Sequence, residues 1–76
     1  MDLGLIETFM TVAETLNFSL AAKQRGLTQP TISRQIQALE ESLKTKLFIR
    51  DQHQVKLSPE GKAFKSRMAP LFDEFR

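Results

Sequence analysis

The sequence predicts a mainly α-helical domain completed by a two-stranded hairpin. Three observations lead there: three stretches of apolar residues at helical spacing, a glycine junction between two helix-starting signals, and two brief apolar runs flanking a polar turn.

The first helix rests on Leu5, Ile6, Phe9, Val12, Ala13 and Leu16, which share one face at 100° per residue. Asp2 can cap its start by accepting a backbone N–H, and Asn17 is expected to end it. Ser19 is the expected cap of a short second helix running to about Arg25, with Gly26 supplying the left-handed exit. Thr28 then caps a third helix, and Pro30 falls in its first turn, where a missing N–H does no harm. In this helix Ile32, Ile36, Leu39 and Leu43 face inward, while Pro30, Arg34, Gln37 and Glu41 lie opposite and Thr31, Ser33 and Gln35 flank them. Beyond Lys44, Leu47-Phe48-Ile49 and Val55-Lys56-Leu57 read as strands around the turn Arg50 to Gln54, which has no glycine. Ser58, Pro59 and Glu60 open a fourth helix whose Phe64, Met68, Leu71 and Phe75 repeat the +4, +3, +4 spacing.

Two short helices joined tightly and followed by a hairpin are the parts of a winged helix-turn-helix. Ala22, four residues before Gly26, and Ile32, six after it, supply the small residue and the docking residue of such a crossing. Expected is a three-helix core, a two-stranded wing and a C-terminal linker or dimerisation helix, divided as a DNA-binding domain over 1–58 and a linker helix over 59–76.

At 76 residues the chain is one domain with a small core. It lacks cysteine, and its start has neither a basic leader nor a long apolar run, which points to a cytoplasmic protein away from membranes. Catalysis is not expected. The single histidine, His53, sits in the hairpin turn near Asp51 with no nucleophile spaced to meet it, and three glycines form no phosphate cradle. No catalytic residue, metal ligand or cofactor is therefore assigned.

The formal net charge of +2 is unevenly spread. Residues 1–22 carry Asp2, Glu7 and Glu14 and no base, whereas residues 23–50 carry six bases (Lys23, Arg25, Arg34, Lys44, Lys46, Arg50) against Glu40 and Glu41. A basic middle segment favours a polyanionic partner. The third helix, over about residues 28–43, carries hydroxyls, amides and one arginine in its leading half, with no acid before Glu40. Gln29 can pair donor and acceptor with an adenine edge, and Arg34 can reach guanine or a phosphate. The hydroxyls of Thr28 and Ser33 suit phosphate oxygens, as do the N–H groups of the helix start. Thr28 would equally serve as a cap alone, Pro30 as a helix starter, and Arg34 as a solvated side chain.

The run "FMTVAETLNFSLAAKQRGLTQPTISRQIQALEESLKTKLFIRD", followed in register by "LSPEG", resembles the N-terminal DNA-binding domain of LysR-type transcriptional regulators. Thr28-Gln29-Pro30 echoes the family's Ser-Gln-Pro, and Ser33 to Ile36 matches its Ser-Arg-Gln-Ile. Leu47 to Arg50 fits its Leu-Phe-x-Arg. The resemblance implies base or groove contacts from Gln29, Pro30, Thr31 and Arg34, and phosphate contacts from Thr28 and Ser33. It implies a wing touching flanking backbone through Arg50 and the turn. It also implies a dimer on an inverted repeat, paired through the fourth helix (Phe64, Met68, Leu71, Phe72, Phe75). The expected partners are thus double-stranded DNA and a second copy of the chain. An effector ligand would act only through a domain outside these residues, so the chain reads either as an isolated DNA-binding portion or as a small protein in its own right.

Three positions depart from the family pattern. Arg25 replaces a usual leucine, and its stem is expected along the core with its head in water. His53 stands where the wing often has arginine, which implies a weaker groove or phosphate contact, or simply an exposed turn residue. Pro70 interrupts the fourth helix's apolar stripe and should kink it or destabilise it by about 3 kcal/mol. That stripe suits an intramolecular core as well as it suits a dimer, and a winged helix devoted to protein contacts is the alternative function.

Overall fold

The computed structural model describes residues 2–75. Helices α1 (Leu3–Thr15), α2 (Phe18–Arg25) and α3 (Gln29–Leu43) are followed by strands β1 (Phe48–Arg50) and β2 (Val55–Leu57) and by helix α4 (Pro59–Phe75). The strands pair antiparallel, with Phe48 opposite Leu57 and Arg50 opposite Val55. This is the expected winged helix-turn-helix, with β1 one residue later than the sequence indicates because Leu47 is drawn wholly into the core.

Local chemistry sets the helix ends. Asp2 accepts the Gly4 N–H at 2.7 Å, as expected. The first exit differs from expectation. Leu16, not Asn17, terminates α1 in the left-handed region at φ 51°, which leaves its side chain exposed instead of on the inner face. Asn17, in extended conformation, then caps α2 by accepting the Leu20 N–H at 2.9 Å. Ser19 lies inside the first turn, past the position from which a side chain can cap. Gly26 closes α2 at φ 68°, and Leu27 N–H reaches back to the Ala22 carbonyl at 2.9 Å. The same closure ends α3, but there Lys44 adopts φ 55° without glycine's freedom.

Phe9, Val12, Ile32, Ile36 and Leu39 are fully buried where the helices cross. Phe9 lies 5.4 Å from Phe48 and 5.0 Å from Phe64, ring centre to ring centre, so α1 carries both the wing and α4. Ser58 fixes the junction. Its Oγ donates to the Lys46 carbonyl at 2.6 Å and accepts the Gly61 N–H at 2.9 Å. Gly61 packs so closely that a Cβ there would clash with the Leu47 carbonyl oxygen.

Two charged residues sit otherwise than their type suggests. Arg25 is largely buried, and its head meets α1 in place of water. Nη1 pairs with Glu7 at 2.9 Å, Nε donates to the Thr8 hydroxyl at 3.2 Å, and Nη2 donates to the Gly4 carbonyl at 3.4 Å. Thr8 in turn donates to Oε1 of Gln35 at 2.5 Å, so this polar chain links α2, α1 and α3. Glu40, the other case, is buried. Its Oε2 accepts the N–H groups of Leu47 at 2.7 Å and Phe48 at 3.3 Å.

Helix α4 continues through Pro70. Pro70 and the preceding Ser66 are both exposed, so the carbonyl that loses its helical donor there can face solvent. No helix among the described residues is long and apolar enough to cross a membrane.

Candidate nucleic-acid interface

Helix α3 is anchored by Ile32, Ile36 and Leu39, each fully buried, so the opposite side must face outward. Thr28 caps it in extended conformation, its Oγ1 accepting the Thr31 N–H at 3.3 Å. The Thr28 hydroxyl also donates to Thr31 Oγ1 at 2.9 Å, and Arg34 Nη2 donates to the same oxygen at 3.2 Å. The Thr28 hydrogen is thus already engaged, whereas the Thr31 hydroxyl, accepting twice, keeps its own hydrogen for an outside acceptor. Arg34 is exposed, and no carboxylate pairs with it among the described residues. Gln29, Pro30 and Gln37 are exposed as well, while Thr31 and Ser33 are half-buried on the flanks.

The wing stands beside this surface. Arg50 lies over Phe18, its guanidinium carbon 4.0 Å from the ring centre, and Phe18 packs edge-on against Phe48 at 6.1 Å. That contact orients an exposed cation without neutralising it. The turn holds its shape through Asp51, whose carboxylate accepts the N–H groups of His53 and Gln54, each at 2.9 Å. These two bonds shape a turn that uses no positive φ, and they hold Asp51 below its ordinary pKa of 3.8. A cleft of about 310 Å³ opens between the start of α2, the start of α3 and the wing, and Gln29, Arg50 and His53 line it together. Gln37 and Arg50 border a second depression of about 400 Å³ beside Glu40 and Lys46.

Six of the nine expected contact residues therefore fall into two adjoining groups, Thr28, Thr31 and Arg34 bonded together and Gln29 with Arg50 and His53 around the cleft, while Pro30, Ser33 and Gln37 belong to neither. The fourth-helix residues lie elsewhere. Phe64 packs on Phe9 in the core, and Met68, Leu71 and Phe72 border a groove of about 160 Å³ with Leu3, Ile6 and Glu7 of α1. The side chain of Phe75 lies outside the described residues.

Sequence reasoning missed Glu40 as the link between α3 and the wing. A signal was present, since Glu40 occupies the i+8 position of the face defined by Ile32, Ile36, Leu39 and Leu43. It also gave Ser19 a capping role, whereas the Ser19 hydroxyl donates to Oε1 of Gln29 at 2.9 Å.

A short helix pair whose second member is apolar behind and basic-polar in front, flanked by a cationic wing, defines a winged helix-turn-helix of the nucleic-acid-reading kind. The chain belongs to the family described as "Bacterial regulatory helix-turn-helix protein, lysR family", whose model matches residues 3–62. It is 45% identical over 62 residues to the HTH-type transcriptional regulator IlvR of Caulobacter vibrioides, covering 82% of this chain and 21% of IlvR. An uncharacterized HTH-type transcriptional regulator of Methanocaldococcus jannaschii is 41% identical over 71 residues, covering 93% of this chain and 24% of that protein. Among solved structures, the BenM DBD in complex with benA site 1 DNA superposes with a TM-score of 0.92 at 37% identity, over 99% of this chain and 84% of that one. These curated relatives are named as transcriptional regulators, and the chain spans only about a fifth to a quarter of their length.

Proposed function

We propose that this chain is the DNA-binding portion of a cytoplasmic LysR-type transcriptional regulator, reading a specific double-stranded sequence as a dimer on an inverted repeat. Helix α3 enters the major groove with its N-terminal half. Gln29, Pro30, Thr31 and Arg34 meet base edges, Ser33 and Thr28 the adjoining phosphates, and Arg50 with His53 the flanking backbone. Gln37 borders the same face one turn further along. Residues 1–58 form the reading unit. Residues 59–76 extend it as the linker that pairs protomers through Met68, Leu71, Phe72 and Phe75, with Phe64 holding that helix to the core.

The observation that carries this reading is the exposed leading half of α3. Its polar face carries no acid before Glu41, because Glu40, the first carboxylate in the helix, is turned inward onto the wing. A surface that meets phosphates needs that freedom from negative charge. The apolar groove between α1 and α4 supports pairing, since Leu3 is 67% exposed and Leu71 51% exposed on its rim.

Selection of bound sites from a random duplex library at near-physiological salt tests the proposal. Enrichment of an inverted repeat is expected, with affinity falling on a log–log salt plot by about 0.9 per phosphate neutralised. Salt-insensitive binding, or no enrichment, would favour a protein-contact module instead.

A further inference from the structure

The bond between Ser19 and Gln29 serves neither helix cap, because Asn17 caps α2 and Thr28 caps α3. It joins the first turn of α2 to the first residue of α3, ten positions apart in sequence, at the rim of the cleft that Arg50 and His53 share. Both side chains are exposed. A free surface glutamine samples many rotamers, and ordering it on binding opposes association. A partner already in place removes part of that loss.

The direction of the bond matters more than its existence. The serine hydroxyl donates and the amide oxygen accepts, so the two hydrogens on Nε2 are turned away from Ser19. Among the described residues nothing accepts from Nε2. In the major groove guanine offers N7 and O6, adenine N7 and thymine O4 as acceptors, whereas cytosine offers only its N4 donor.

We propose that Ser19 is a positioning residue that holds the Gln29 amide with its NH2 outward and thereby selects, beneath Gln29, a base presenting an acceptor over cytosine. The inference rests on the duplex-binding reading above and adds a residue that does not itself touch the base.

The test uses the 76-residue chain and its selected duplex. Gln29→Ala first identifies the base pair whose discrimination collapses. Four duplexes differing only at that pair are then bound to wild type, Ser19→Ala, Ser19→Thr and the Ser19→Ala/Gln29→Ala double variant. Wild type should disfavour cytosine at that position. Ser19→Ala should lose about fivefold of the discrimination there, the scale of one hydrogen bond, and leave other positions unchanged. Ser19→Thr, which keeps the hydroxyl, should restore it, and the double variant should match Gln29→Ala alone. Equal weakening of all four duplexes by Ser19→Ala would make Ser19 a phosphate contact and overturn the proposal. No effect of Ser19→Ala, or no rescue by threonine, would overturn it equally. Wild type that binds no duplex would refute the duplex-binding reading itself, before any variant is compared.

Discussion

The Glu40 carboxylate accepts the backbone N–H of Leu47 at 2.7 Å, and this buried contact fastens the recognition helix to the root of the wing. The two surfaces proposed to meet one duplex are thus held in fixed relation by a buried side chain. Glu40→Ala leaves the Leu47 N–H buried without its partner and should destabilise the fold by about 1.5–3 kcal/mol, since the lost bond is to a charged group. Glu40→Gln keeps an acceptor and should lose less. Lys46, 3.8 Å from the other oxygen and largely exposed, contributes little, so Lys46→Ala should change stability by under about 0.5 kcal/mol. Urea unfolding of the three variants checks the order, and equal loss in all of them would count against it.

Backbone geometry predicts opposite outcomes at two other positions. Lys44→Gly should stabilise by about 1 kcal/mol, because Lys44 holds φ 55° at the α3 exit against the steric preference of a side chain. Gly61→Ala should destabilise by about 1–3 kcal/mol, because the new methyl would meet the Leu47 carbonyl and push α4 from the wing. Thermal unfolding should show the first midpoint rising and the second falling; a drop for Lys44→Gly would refute the strain assigned there.

The wing turn should respond to acid. Asp51 has its pKa lowered by the N–H groups of His53 and Gln54, so the ordering it provides is complete above the ordinary value of 3.8. It is lost as pH falls through the lowered folded value. Amide signals of His53 and Gln54 followed over about pH 2–5 should shift together with a midpoint below 3.8, and Asp51→Asn should abolish the transition. A midpoint above 3.8 would contradict the carboxylate's role.

On DNA, Arg34 and Ser33 should behave differently. Arg34→Ala should weaken binding by about 1–3 kcal/mol and relax preference at a single base pair. Ser33→Ala should weaken all sequences alike and leave the salt slope unchanged, since a neutral hydroxyl releases no counterion. Competition titrations against a set of point-substituted sites distinguish the two, and an Arg34→Ala variant with unchanged affinity and preference would remove Arg34 from the base-reading set.

The helices and the outward polar face of α3 were legible because their rules are local. Ile32, Ile36 and Leu39 carry their inward direction in their spacing, Gly26 carries its left-handed turn, and Thr28 with Pro30 carries the start of α3. Where two polar residues competed for one cap, as Asn17 and Ser19 did, the outcome hung on Leu16 taking a conformation that its type does not advertise. Glu40 and Arg25 were harder still. Both are charged and read as outward by composition, but the groups that satisfy them, the N–H of Leu47 and the hydroxyl of Thr8, reach them only once the chain has folded. Pattern identifies a buried slot, and tertiary partners decide whether a charge can fill it.

The central claim is that the outward start of α3 is the surface that meets duplex DNA. Titrating the selected duplex into isotope-labelled protein and following backbone amides tests it most directly. The largest changes should fall from Thr28 through Gln37, with a second set at the wing around Arg50 and His53. Signals that stay in place over that span while DNA is bound would contradict it.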